Sequence, residues 1–325
     1  MLTVPSFNIV FFAAGFTGGS QEKGGEVMSE NCEGLMIDLH NHSNKSDGLY
    51  SPSEVVRKAF DAGIRVFGLS DHDNVSGIDE ACTEAVKAGI SLVAGVEITT
   101  PRKIHIQGLC IDIENKSLTE LLDTQNRKRM EYTELLCSRL ADVGISVDYD
   151  DLMGTFAGTV NKYNVSQYLV NRKMVDLTSP DDVYEKYFAT GGLVTIKEAP
   201  WCSMAEAVET ILNAGGIPVL AHVWRYFDPK KPENTEEVRR EKMHELTRAF
   251  KEAGGEAMET LGCRQLNAFE KEYPTELALE FGLYASCGTD YHRDDKVPLG
   301  TRYVFDERLV PVWKHPKFRF YGSKG

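Results

Sequence analysis

The chain has 325 residues, 42% of them hydrophobic and 10% aromatic, which suits one large α/β domain or two ordinary ones with a substantial core. Its 36 basic and 49 acidic residues leave a formal charge of −13, which argues against coating nucleic acid by bulk attraction. A small anionic ligand stays open wherever local cations override that field.

Residues 1–34 read as a disordered leader. Asn8 to Phe16 is apolar but short and follows no Lys or Arg, so it fits neither a signal peptide nor a membrane span. A Gly/Ser/Glu-rich stretch follows from Gly18 to Glu30, and Met28 and Met36 are candidate true starts. Residues 35–113 then alternate β-like runs with helical patterns. The runs are Met36–Leu39, Arg65–Ser70, Ser91–Thr99 and Ile104–Ile111, with a helix around Ile78–Ala88. Between 114 and 191 the strand-like runs vanish. Leu118, Leu121, Leu122, Leu135, Leu136 and Leu140 fall at helical spacing, which predicts an insertion of two or three helices.

The alternation resumes over 192–318. Gly192–Thr195 reads as a strand and Ala205–Ala214 as a helix stopped by Gly215-Gly216. Ile217–Ala221, a helix over Thr235–Ala253, Glu256–Thr260 and Leu283–Ser286 complete the series. Strands alternating with helices predict an α/β fold with a parallel sheet or barrel. The seven cysteines are odd in number and include no C-x-x-C pair. They read as reduced thiols of a cytoplasmic protein, not as a disulfide frame or zinc finger.

Only eight histidines occur, and their placement carries the chemical argument. His40 and His42 end the first run, two residues apart, a spacing that turns both imidazoles to one face of an extended chain. Asp47 follows on a loop able to fold back. Asp71-His72-Asp73 follows the second run and gives an imidazole carboxylate neighbours that can hold its tautomer. Glu97 lies inside an otherwise apolar strand, where a carboxylate is costly unless a cation joins it. His105 opens the next run instead of closing it. His222 ends Val219-Leu220-Ala221, and Asp290-Tyr291-His292 repeats the spacing of the first pair. In barrels of parallel strands, catalytic residues gather at the carboxyl ends. His244 and His315 fall outside the pattern and read as surface residues.

The motifs DLHNHSNKSDG, LSDHD, GVEIT, IHIQG, AHVWRY and GTDYH resemble, in order and spacing, those of the PHP (polymerase and histidinol phosphatase) superfamily from about residue 36 to 300. The stand-alone phosphoesterase branch is most similar. It includes enzymes that remove the 3′-phosphate of nucleoside 3′,5′-bisphosphates and trim short RNAs from the 5′ end. The resemblance implies a distorted seven-stranded (β/α) barrel of PHP type with a small helical insertion. It implies three divalent metal ions, Mn²⁺, Zn²⁺ or Fe²⁺. His40, His42, Glu97 and Asp290 would hold the first, and Glu97 would bridge to a second held by His105 and His222. Asp47, His72 and His292 would hold the third. Asp38 is the expected supporting partner of the first pair. Val223 stands where family members often have proline, and Asn164 where the related branch has a histidine of its insertion motif.

Phosphate esters repel hydroxide, so the expected nucleophile is a hydroxide shared by two metals, with Glu97, His72 and Asp73 as catalytic candidates. Arg225 is the candidate phosphate clamp, with a structural salt bridge as its alternative. Arg127 and Arg129 read as a solvated helix face, with a place facing the pocket as the alternative. Trp224 and Tyr291 read as core, with base stacking as the alternative. The expected partner is a small phosphorylated substrate or a short nucleic-acid end, with no membrane and no stable protein partner. Histidinol-phosphate or cyclic-phosphate hydrolysis and a non-catalytic metal-binding module are the competing readings.

Overall fold

The computed structural model describes residues 32, 34–189, 191–194, 196, 201–262, 267–294, 298–301 and 303–322. Almost all of the expected leader lies outside them. The strands are β1 (Ile37–Asp38), β2 (Val66–Leu69), β3 (Ser91–Thr99), β4 (His105–Leu109), β5 (Ile217–Leu220), β6 (Ala257–Gly262) and β7 (Tyr284–Gly288). The helices are α1 (Pro52–Asp61), α2 (Ile78–Ala88), α3 (Lys116–Asp142), α4 (Tyr149–Thr155), α5 (Lys162–Asn171), α6 (Pro180–Val183), α7 (Met204–Asn213), α8 (Glu236–Glu252) and α9 (Ala268–Phe281). Local chemistry sets their ends. Ser51, Ser203 and Asn267 close capping boxes at α1, α7 and α9. Gly215, with φ +69°, takes the left-handed turn just after α7, as its sequence predicts.

One seven-stranded sheet runs in sequence order from β1 to β7. Its ends meet: the Leu39 amide donates to the Cys287 carbonyl at 3.1 Å, and Asn41 forms a parallel bridge with Tyr291. The result is the distorted seven-stranded α/β barrel that the sequence predicts. It is not wholly parallel, however. β4 runs antiparallel to both β3 and β5, because the short Pro101–Lys103 turn returns the chain without a crossover helix. Of the expected strand at Gly192–Thr195, the described part, Gly192–Val194, has no strand, and Thr195 lies outside the described residues.

The barrel interior changes character along its axis. At one end Leu39, Val66, Val93, Leu109, Val219, Ala257 and Cys287 form a closed apolar plug, sealed by Val312 and Phe318. Side chains two residues apart share a face of a strand. Moving along β3 from Val93 therefore reaches Glu97 on the same face. Moving back along β4 from Leu109 reaches Gln107 and then His105, and β6 goes from Ala257 to Glu259. The polar residues collect at the opposite mouth. A second apolar layer outside the sheet holds the helices, with Val55, Val56, Ile78, Val208, Ile211, Phe250 and Leu277 in it. Burying each such side chain contributes roughly 1.5–3 kcal/mol, so the frame under the polar mouth is stiff.

The segment after β4 carries four helices among the described residues, α3 to α6, and a π-helical turn at Tyr184–Phe188, more than the two or three expected. The 27-residue α3 belongs to two cores. Leu118 and Leu122 pack against the barrel, whereas Leu136 and Leu140 pack with Leu152, Val165 and Leu169 of the insertion. Leu135 faces out at 42% exposure, so it is not part of the buried stripe. Between the two halves, Gln125, Arg129 and Thr133 are buried polar residues on one face of α3.

Candidate metal centre

The nine candidate ligands arrive from six different strand ends and converge at the barrel mouth. His40 and His42 lie just past β1, with ring centroids 5.1 Å apart and Nε2 atoms at 3.2 Å. Gly288 on β7 makes room for them, since a Cβ there would fall 2.2 Å from the Cβ of His40. Asp290 Oδ1 lies 2.9 Å from His42 Nε2. Glu97 supplies both oxygens. Its Oε1 is 2.9 Å from His105 Nδ1 and 2.9 Å from His222 Nε2. Its Oε2 is 3.3 Å from Nε2 of both His40 and His42, and 3.0 Å from His72 Nδ1. Asp47 Oδ1 is 3.2 Å from His292 Nε2 and 3.8 Å from His72 Nε2.

These atoms fall into three overlapping sets of suitable size for an ion: His40, His42, Glu97 and Asp290; His42, Asp47, His72 and His292; and His72, Glu97 and His105. His222 joins the last through its contact with Glu97. Tetrahedral bonds of about 2.0–2.2 Å put ligand atoms roughly 3.3–3.6 Å apart, near the separations seen here. The unmet polar atoms point the same way. Glu97 Oε2, Asp47 Oδ1, His72 Nδ1 and His222 Nδ1 are buried without a hydrogen bond, although the first three have charged or polar neighbours within about 3–4 Å. Cations in the separate sets would satisfy Glu97 Oε2 and Asp47 Oδ1, with His72 standing between them.

The electrostatics agree. Burial would raise Glu97, yet His105, His40 and His72 outweigh it and keep its carboxyl well below the usual range. Burial opposes a charge on His72, but Glu97 and Asp47 overcome it and raise the imidazole to about 9. His42 goes the other way, pushed down to about 3 by burial and by its neighbours His292 and His72. Without a cation the carboxylates retain protons on some imidazoles as counter-charge, and bound metal would displace them.

The strand ends supply strained backbone as well. Asp73, His222 and Asp290 have φ of 48°, 28° and 51°, in the left-handed region that costs a side chain about 1–3 kcal/mol. Around the ligands stands a supporting layer. Asp38, 1% exposed, accepts from the Thr289 amide and hydroxyl at 3.0 and 2.7 Å and from Asn41 Nδ2 at 3.0 Å, so it joins the β1 and β7 ends. Asp71 accepts from the Ser43 and Ser46 hydroxyls, each at 2.6 Å. Glu259 stood in no sequence motif. Its Oε1 lies 2.7 Å from His40 Nδ1 and its Oε2 accepts the His222 amide at 2.6 Å. Carboxylates in this position orient metal-binding imidazoles. The only signal in the sequence was an acidic residue on an otherwise buried strand.

Several candidates take other places. Asp73 is fully buried and absent from all three ligand sets. Its Oδ2 is paired with Arg129, and its Oδ1 accepts the Thr99 amide at 3.0 Å. It fastens α3 to the barrel and is poorly placed to donate a proton. Arg129 takes the alternative, facing the pocket: it is buried, stacks over Trp201 with its guanidinium carbon 4.9 Å from the ring centroid, and lines the cleft. Arg127 does lie on the exposed side, bonded to Thr124. Arg225 Nη1 is paired with Oδ2 of Asp290. That is the salt-bridge alternative, and it fixes the ligand's second oxygen. Trp224 and Tyr291 are core residues, as their preferred reading has it. His315 is buried against Tyr284, not on the surface, whereas the His244 side chain is 34% exposed and pairs with Glu280.

A cleft of about 580 Å³ opens over the ligands. Asp47, His72 and His105 form part of its wall, facing Arg102, Lys103, Arg129, Lys162 and Lys231. Tyr132, Tyr163, Tyr184 and Trp201 complete its aromatic lining. An acidic protein thus turns a basic, aromatic wall toward its ligand cluster.

The PHP domain family model matches residues 38–257, a span that contains seven of the nine candidate ligands. The chain belongs to the PHP domain family. Among curated relatives, a 5′-3′ exoribonuclease of Haemophilus influenzae is 34% identical over 85% of this chain and 97% of its own length. A 3′,5′-nucleoside bisphosphate phosphatase of Chromobacterium violaceum is 32% identical over 87% of this chain and 97% of its own. A solved amidohydrolase structure from Chromobacterium violaceum, with bound sulfate and no metal, superposes with a TM-score of 0.75 at 28% identity. That match covers 86% of this chain and 95% of the other.

Proposed function

We propose that the nine side chains hold three divalent ions, Mn²⁺, Zn²⁺ or Fe²⁺, and that this PHP enzyme hydrolyses a phosphate ester of a nucleotide. Nucleoside 3′,5′-bisphosphates and the 5′ ends of short RNAs are the substrate class. The observation that carries the metal reading is Glu97: one fully buried carboxylate with five imidazoles about its two oxygens. Imidazole and carboxylate together favour transition metals over Mg²⁺. The names of the two curated relatives support the substrate class, as does a cleft combining cations for phosphate with aromatic faces for a base. Family membership supports a hydrolase, and the six described cysteines are free, which suits a protein of the cytoplasm. No helix among the described residues is long and apolar enough to cross a membrane.

When bound, the ions supply an activated water and neutralise the phosphoryl oxygens as charge builds. The chain's own residues do the rest. His40, His42, Glu97 and Asp290 hold the first position, Glu97, His105 and His222 the second, and Asp47, His72 and His292 the third. Arg225 keeps Asp290 ionised and turned inward. The cationic wall draws the phosphate across the protein's negative field.

A phosphate-release screen with Mn²⁺ tests this reading. Adenosine 3′,5′-bisphosphate and 5′-phosphorylated oligoribonucleotides are the expected substrates, ahead of histidinol phosphate and cyclic phosphates. No turnover of any of them would leave a non-catalytic metal module as the better account. Glu97→Ala is expected to lose both retained metal and activity in the folded fraction. Full activity in that variant would remove Glu97 from the centre.

A further inference from the structure

Among the described residues, one side chain of the insertion bonds directly to the side chain of a candidate ligand. Asn161 is the N-cap of α5, and its Oδ1 accepts the amides of Tyr163 and Asn164 at 2.8 and 3.1 Å. Asn164 returns the contact by accepting the Asn161 amide at 2.9 Å, which closes a capping box. These bonds fix which end of the carboxamide is oxygen and hold the side chain in one orientation. The other end, Nδ2, donates to Oδ2 of Asp47 at 2.8 Å. Asp47 Oδ1 makes no hydrogen bond and faces His292 Nε2 at 3.2 Å, His72 Nε2 at 3.8 Å and His42 Nδ1 at 4.0 Å. The two oxygens of Asp47 are thus divided between the insertion and the ligand cluster.

The preceding residues are docked on the same loops. The Thr159 amide donates to the Lys45 carbonyl at 3.1 Å, and its hydroxyl reaches the His72 carbonyl at 3.5 Å. A Cβ on Gly158 would fall 2.0 Å from that Lys45 oxygen, so the two backbones meet without a side chain between them. The contact is built on both sides: Asn74 Nδ2 also donates to the Lys45 carbonyl, at 2.9 Å.

We propose that Asn161 is a positioning residue for the metal ion of Asp47, His72 and His292, and that docking of the insertion sets the affinity of that site. A carboxylate on a short loop rotates freely. Tying Oδ2 to a capped, immobile carboxamide leaves Oδ1 aimed at the imidazoles before any ion arrives. Among the described residues no hydrogen bond joins the insertion to His40, His42, Glu97, His105, His222 or Asp290. The inference rests on the metal-centre reading.

Two substitutions separate positioning from helix capping. Asn161→Ser retains a good capping oxygen but is too short to reach Asp47. Asn161→Ala loses both functions. Mn²⁺ binding to the full-length, metal-stripped protein is followed by electron paramagnetic resonance of the free ion, with the thermal midpoint of the metal-free protein as control. Both variants are expected to weaken one Mn²⁺ site about tenfold or more and to spare the others. Only Asn161→Ala is expected to lower the metal-free midpoint. A serine variant that binds Mn²⁺ as the wild type does would overturn the proposal, since capping alone would then explain Asn161. A wild type that takes up no Mn²⁺ would overturn the metal-centre reading beneath it.

Discussion

Glu259 shows how a single residue governs others without touching a substrate. It holds His40 by the ring nitrogen that faces away from the other ligands, and it holds His222 by the backbone. Glu259→Gln keeps the size of the side chain and removes its charge. Losing such a partner typically lowers metal affinity about 10–100-fold, so the substitution is expected to weaken Mn²⁺ binding by that order in a competition titration with a chelator. Unchanged affinity would show that the carboxylate merely fills the strand. The convergence of the candidate ligands was legible in sequence because histidine is scarce here and sits where runs of β-like residues end. Glu259 and Asn161 were not. One is an isolated acid within a strand, the other an asparagine at a helix start, and both are common positions for such residues. Their roles depend on partners 219 and 114 residues away.

At the scale of elements, α3 has the largest structural consequence. Its apolar ends are visible as leucines at helical spacing. Its polar middle reads as a solvated face, yet Gln125 donates to the Thr99 carbonyl at 2.7 Å and Arg129 pairs with Asp73. The Arg129 side chain is 10% exposed and that of Asp73 is 0%. Removing one partner of a buried pair costs about 3–5 kcal/mol, because the other charge is left unpaired. Arg129→Met is expected to lower stability by that order in urea denaturation. The double substitution with Asp73→Asn is expected to recover a good part of it. A double variant as unstable as the sum of the two singles would mean that the residues act apart. The reversed direction of β4 was partly legible too. His105 opens its run whereas the other ligands close theirs, and only an antiparallel strand brings its first residue to the mouth where its neighbours end. The insertion's helix count was less legible, since α4 and α6 are too short to show a period of their own.

For the whole molecule, the barrel is an apolar plug carrying a charged mouth. Alternation of strand and helix predicted a parallel sheet or barrel, and the family resemblance implied the closed seven-stranded form in which β7 meets β1. What the linear pattern does not contain is the balance of charge at the mouth, where Asp47, Glu97, Glu259 and Asp290 are all nearly or fully buried. Such a cluster is stabilised by cations that bind the folded state alone. Stripping the protein with a chelator is expected to lower its thermal midpoint, and added Mn²⁺ to restore it in proportion to the logarithm of its concentration. An ion at 100 times its dissociation constant contributes about 2.7 kcal/mol per site. A midpoint indifferent to chelator would mean that the mouth is stable without metal. The most direct test of the account is anomalous diffraction at the manganese edge from crystals grown with Mn²⁺. Three peaks are predicted, with Glu97 shared by two of them and Asp47, His72 and His292 around the third. A mouth without peaks, or with Glu97 bound to none, would contradict the account.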